Sequence, residues 1–173
     1  YYSEMKKDVV QEKAYNLLIN EALKDDLSNA KTFGYSLLQL PVESLNIVFG
    51  KKDRLNELEQ NIQKSRSEQK VILNSMLGEK GMTNAMSYEE KMVDGEKTKS
   101  NFKYIDPTYK IFDEENLENH SIKISNICRE IRKSRGIIMV YSQYIDGGVL
   151  PIALALEAMG FKRRVGNKIK NLF

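Results

Sequence analysis

Ser142 and Gln143 place a hydroxyl and an amide at the end of the apolar run Ile137-Ile138-Met139-Val140-Tyr141, just ahead of Asp146-Gly147-Gly148 and Pro151. A helix that starts after such a turn offers unpaired N–H groups and the positive end of its dipole to an anion such as a phosphate. Hydroxyl and amide side chains at that position add contacts that hold a phosphate without reading a base. Asp146, Gly147 and Gly148 supply the backbone freedom and local hydrogen bonding to leave a strand tip and start a helix. Ser142, Gln143, Gly147 and Gly148 are therefore candidate binding residues. The plainer role for Ser142 and Gln143 is to cap the strand and the helix.

A second candidate surface follows. Lys162, Arg163, Arg164, Lys168 and Lys170 form the densest basic cluster, and no acid occurs from Phe161 to Phe173. Such a cluster can neutralise phosphates and make binding salt-dependent, although many basic runs are only solvated faces. Other chemistry is poorly represented. One cysteine, Cys128, excludes an internal disulfide or a multi-cysteine zinc site, and its helical spacing reads as a core position. The single histidine, His120, lies beside acids and reads as a surface or capping residue. Gly95-Glu96-Lys97-Thr98 lacks the GxxxxGK[ST] spacing and a preceding apolar strand, so it is not a phosphate loop. Asp113, Glu114 and Glu115 are better placed as dipole partners of a helix start than as a metal cluster.

The elements that must position these residues alternate between helix and strand. Val10, Ala14, Leu17 and Leu18 mark a helix from about Lys7 to Lys24. Residues 37–40 and 45–49 are short extended candidates around Pro41. Lys51 to Leu77 reads as one long polar helix with a thin apolar seam, broken at Gly78 to Gly81. Residues 82–91 suggest a short helix, and the polar stretch from Met92 to Asn101 a flexible linker or loop tip. Ile124, Ile127, Cys128 and Ile131 mark a helix face that runs to Ser134. The run Ile137–Tyr141 is apolar throughout, as a strand buried on both faces of a parallel sheet must be. Pro151 suits a first helical turn, Gly160 a helix end, and Phe161 the start of another strand. Helix, strand, helix and strand start form the pattern of a βαβ unit in an α/β domain.

Composition sets wider bounds. A chain of 173 residues that is 41% hydrophobic can hold a real core, and 29% charged residues imply a large solvated surface. The longest apolar runs fall well short of the roughly 20 residues of a membrane span, and no secretory signal pattern is present, so an intracellular, soluble protein is expected. The net charge of +3 is modest for a nucleic-acid binder. Tyrosine as the first residue and the abrupt last segment suggest a piece of a longer protein.

The segment YSQYIDGGVLPIALALEAMGF, Tyr141 to Phe161, resembles motif IV in the C-terminal domain of superfamily 2 helicases, and within that superfamily is similar to the Swi/Snf-like helicases of large nucleocytoplasmic DNA viruses. Three further segments agree in order: MxxxxxQxxAY at Met5, Gln11, Ala14 and Tyr15; LQLPVESLNIVF at Leu38 to Phe49; and GEKGMTNAM at Gly78 to Met86. The resemblance implies a partial RecA-like domain with a largely helical insertion. Residues 1–49 would lead into the second helicase domain, 50–103 would form the polar helical insertion and linker, and 104–173 would begin the truncated RecA-like domain. It implies an ATP-dependent nucleic-acid helicase or translocase that acts on DNA or RNA beside a missing N-terminal RecA-like domain, in a host cell or virion. ATP and Mg2+ would serve the intact parent. The chain alone would be inactive, since the phosphate loop, DExx and arginine motifs are missing from it. In that family motif IV lies near the nucleic-acid path, which makes Ser142, Gln143, Gly147, Gly148, Lys162, Arg163 and Arg164 the expected contacts. Two alternatives stand beside this reading: a viral transcription factor subunit on the same scaffold with DNA-dependent ATPase activity, and a non-enzymatic helical interaction module.

Overall fold

The computed structural model describes residues 4–28, 35–60, 65–93 and 95–173. Among these, the chain mixes helices with small antiparallel hairpins. Helices α1 (Val10–Ser28), α2 (Tyr35–Ser44), α3 (Lys52–Gln60), α4 (Arg66–Asn74) and α5 (Gly78–Ala85) come first. The hairpin β1 (Met86–Val93) and β2 (Glu96–Tyr104) follows, then α6 (Glu114–His120) and α7 (Ile122–Lys133). A single π-helical turn, Ile145–Val149, runs into α8 (Leu150–Ala158), and a two-residue hairpin of β3 (Arg164–Val165) and β4 (Lys168–Ile169) comes last. No described helix is long and apolar enough to cross a membrane.

Two apolar clusters organise these elements. Val10, Ala14 and Leu18 form the buried stripe of α1, as their spacing predicts, and pack with Val48, Leu55, Leu58, Leu73, Met76 and Leu77. The second cluster gathers Ile47, Phe49, Met82, Met86, Phe102, Phe112, Leu117, Ile124, Cys128, Ile152 and Leu154. Ile47 and Phe49 belong to one cluster and Val48 to the other, so this short segment alternates between them as extended chain does. Its backbone is held from both sides: Val48 N–H donates to His120 O at 3.1 Å, and Phe49 N–H donates to Met76 O at 2.9 Å. Buried Gln11 ties α1 to both regions, donating from Nε2 to Ser44 O at 3.0 Å and accepting at Oε1 from Ile122 N–H at 3.1 Å.

Several expectations are corrected. Residues 37–40 are helical, within α2, and Pro41 lies inside that helix instead of at a strand bend. The long polar helix is two helices: α3 ends at Gln60, and α4 begins after a Ser65 capping box in which Ser65 Oγ accepts from Glu68 N–H and Glu68 reaches back to Ser65 N–H. Gly78 starts α5 instead of breaking a helix, and the chain becomes β1 at Met86. The supposed linker from Met92 to Asn101 is the far half of a hairpin, paired from Met86↔Tyr104 to Val93↔Glu96. Gly95, at φ 84°, sits in its turn, where a left-handed residue is required. The helix expected up to Ser134 is divided at Ser121, whose Oγ accepts from Ile124 N–H at 3.0 Å and starts α7 anew. Tyr1 and Tyr2, whose residue types suit the end of a strand, lie outside the described residues.

The buried parallel strand is also corrected. Residues 137–141 pair with no other segment among the described residues, where strands meet only as antiparallel hairpins, so a βαβ unit is not formed there. Ile137 is 104% exposed, Met139 92% and Tyr141 88%, whereas Ile138 and Val140 are nearer 40%; residues 138–141 all border a hollow beside Ile127 and Ile131 of α7. Among the described residues the segment has no neighbouring strand to bond its N–H and C=O groups. The following helix matches its signals: Pro151 sits in the first turn of α8, and Gly160 follows it at φ 93°.

Candidate nucleic-acid interface

The glycine turn is built by the residues that the sequence singles out. Tyr144 N–H donates to Ser142 Oγ at 3.1 Å, and Val149 N–H donates to Tyr144 O at 3.0 Å, closing the π-helical turn. A Cβ at Gly148 would fall 2.4 Å from Ser142 Oγ and 3.1 Å from Tyr144 Cβ, so only glycine fits against these side chains. Ser142 thus holds the backbone just ahead of the turn without capping either helix, while its neighbour Gln143 is exposed. Gly147 and Gly148 are buried in the turn. The N–H groups of residues 145–148 precede any intrahelical acceptor and point out of the N-terminal end of the joined π and α8 helices.

Beside the turn lies a charge cluster that the sequence did not reveal. Lys99 of β2, with its side chain only 12% exposed, pairs with Asp146 at 2.7 Å and Glu79 at 3.1 Å. Its ammonium also stands 4.8 Å from the centre of the Tyr88 ring. Burial opposes the charge, but the hydrogen bonds to Asp146 and Glu79 outweigh it and hold Lys99 above the usual lysine range. Glu90 lies 3.8 Å from Lys97 and 3.9 Å from Lys99. The hairpin read as a linker therefore anchors the turn through Asp146.

The basic segment folds as the β3–β4 hairpin, and its residues Lys162, Arg163, Arg164, Lys168 and Lys170 are exposed. None of them forms an ion pair with a described residue. Arg163 lines a cavity of about 570 Å³ together with Lys97 and Lys99, the acids Glu79, Glu90 and Asp146, and Thr98, Ile145 and Val149. The fold thus brings one residue of the basic segment to the edge of the π-helical turn. Lys162 and Arg164 do not line this cavity, nor do Ser142, Gln143, Gly147 and Gly148.

Elsewhere the titratable groups serve the fold. His120, expected at the surface, is fully buried. Its Nδ1–H donates to Val48 O at 2.6 Å, which leaves Nε2 to accept from the Tyr109 hydroxyl at 2.8 Å. Burial pushes its pKa down to about 4 against the pull of the Val48 carbonyl. The acids around it turn outward, with Glu118 paired to Lys6 and Arg129. Cys128 is buried as its spacing predicts, and burial pushes its thiol up to about 11, away from reactivity. A second cavity, of about 490 Å³, has Phe49, Met76 and Ile111 in its wall and the Lys51–Asp106 pair, 2.5 Å apart, at its rim. No three His, Cys, Asp or Glu side chains among the described residues converge to hold a metal ion.

No protein-family model, curated protein or solved structure matches this chain.

Proposed function

We propose that this chain is part of an ATP-dependent nucleic-acid helicase or translocase, in which it supplies the motif IV turn of a second RecA-like domain and contacts to the phosphate backbone. The observation that carries the reading is the convergence of Arg163, from an exposed hairpin that forms no ion pair among the described residues, with the π-helical turn on one cavity. A helix N-terminus beside a basic hairpin suits a sugar-phosphate backbone, which asks for charge and N–H donors more than for base-edge contacts. Glycine and hydroxyl positions around Ser142 and Gly148 agree with the motif IV resemblance. The RecA-like part of the reading rests on the motif IV resemblance, since residues 137–141 join no sheet among the described residues.

ATP and Mg2+ would belong to other parts of the parent protein. Residues 95–98 fit no triphosphate: they form the hairpin turn and the start of β2, so their backbone enters a strand ladder and does not wrap a phosphate. In a parent of this kind the cellular setting would be a host cell or a virion, and the partner either DNA or RNA.

The binding claim has a direct test. Fluorescence anisotropy with a labelled single-stranded oligothymidylate is expected to show weak association that falls with added salt. Changing Lys162, Arg163 and Arg164 together to glutamine should weaken it by about tenfold at low salt and flatten the slope of log K against log salt by about 2, the value for three lost single-strand phosphate contacts. Equal affinity and slope in the variant would reduce the hairpin to a solvated face.

A further inference from the structure

Three elements meet at the glycine turn, and one of them brings a carboxylate that has no partner among the described residues. Glu43 lies in the last turn of α2. Its side chain fits between Gly78, the first residue of α5, and Gly147 of the π-helical turn. A Cβ at Gly78 would overlap the Glu43 carboxylate, and one at Gly147 would stand 3.6 Å from Oε1 and 3.8 Å from Gly78 Cα. Gly78 thus leaves room for this side chain by having none of its own, and adopts φ 52°, whereas Gly147 stands in ordinary van der Waals range of it.

The other three acids around the turn each lie within 4 Å of a lysine. Asp146 and Glu79 share Lys99, and Glu90 lies near Lys97 and Lys99. Glu43 forms no hydrogen bond or ion pair with a described residue, and burial raises its pKa. A half-buried carboxylate without donors is costly to fold around. Its negative charge also stands at the N-terminal ends of two helices, where an incoming phosphate would be drawn.

On the reading that this turn meets a phosphate backbone, we infer that Glu43 is a specificity-determining residue, a fixed negative charge that opposes phosphate at the glycine turn and holds the affinity of the chain for single-stranded nucleic acid low. Asp146 and Glu79 do not have this effect to the same degree, because Lys99 offsets them. Removing the Glu43 charge leaves the turn and the basic hairpin in place and takes away the opposing field. The effect is local, so an equal change of net charge at a distant surface does not reproduce it.

The same anisotropy measurement with labelled oligothymidylate tests this. Glu43→Gln is expected to bind about tenfold more tightly than the wild type at low salt, and Glu57→Gln, an equal charge change on the exposed face of α3, to shift affinity less than twofold. Thermal unfolding should show Glu43→Gln at least as stable as the wild type; if the amide is not tolerated, Glu43→Ala provides the same reading. If the wild type binds and loses affinity on neutralising Lys162, Arg163 and Arg164, yet neither Glu43 variant gains, the role of Glu43 is refuted and the interface stands. Equal tightening by Glu57→Gln also refutes it, since net charge alone then accounts for the gain. No binding by the wild type or by either Glu43 variant overturns the interface and this inference together.

Discussion

Lowering the pH from 7 to 4 is expected to remove about 3 kcal/mol of stability through His120 alone. The imidazole is fully buried, bonded at Nδ1 to Val48 O and at Nε2 to the Tyr109 hydroxyl, and its folded pKa lies at about 4 against 6.5 for the free side chain. The folded pKa is depressed, so it is the unfolded chain that takes up the proton first. Above pH 6.5 neither state is protonated and the full stability is present; between pH 6.5 and about 4 each unit of acidification favours unfolding, and below 4 the loss is complete. Carboxylates titrate in the lower part of this window as well, so the test is a difference. Urea unfolding at pH 7, 5.5 and 4 should show His120→Gln less stable than the wild type at neutral pH, with the gap closing as the pH falls. Parallel pH profiles for the two proteins would show that His120 does not carry the dependence.

The second large effect belongs to Phe112. Its side chain is completely buried in the larger cluster, with the Tyr104 ring 6.4 Å and the Phe173 ring 6.5 Å from its own centre. Truncation to alanine removes the transfer free energy of the ring and leaves a cavity that three separate segments cannot close together, so a loss of about 3 to 5 kcal/mol is expected. For a chain of this size that corresponds to a fall of roughly 10 °C in melting temperature. Calorimetry or denaturant unfolding measures it directly. A loss under about 1 kcal/mol would mean that the ring is not close-packed, and Phe112→Leu should recover most of the deficit if it is.

What the sequence made legible were features carried by local pattern. The stripe of α1, the apolar face of α7, the placement of Pro151 and Gly160 around α8, and the buried Cys128 all follow from spacing or from backbone chemistry within a few residues. The β1–β2 hairpin was hidden by its polarity. Both of its faces are mostly solvated, so alternation is weak away from Met86 and Phe102, although Asp94-Gly95 was a two-residue turn signal in plain view. His120 was misplaced because its environment is non-local: the acids beside it pair outward, while its own partners, Val48 and Tyr109, come from elsewhere in the chain. The candidate interface divides in the same way. Ser142, Gly148 and Arg163 carry their own signals, whereas Glu43, Glu79 and Lys99 acquire meaning only when α2, α5 and the hairpin converge on the turn. The apolar run at residues 137–141 reads as a buried strand but joins no sheet among the described residues, because a strand is defined by its neighbours and a sequence pattern supplies only one side of that pairing.

The alternation of Ile47, Val48 and Phe49 between two clusters makes this short stretch a fixed reading frame for the whole protein. One added or deleted residue there would send each side chain to the wrong side and carry the Val48–His120 and Phe49–Met76 bonds out of step. Loops elsewhere can drift in length, but this spacer has no slack. It is the hinge pin on which both halves of the molecule are registered.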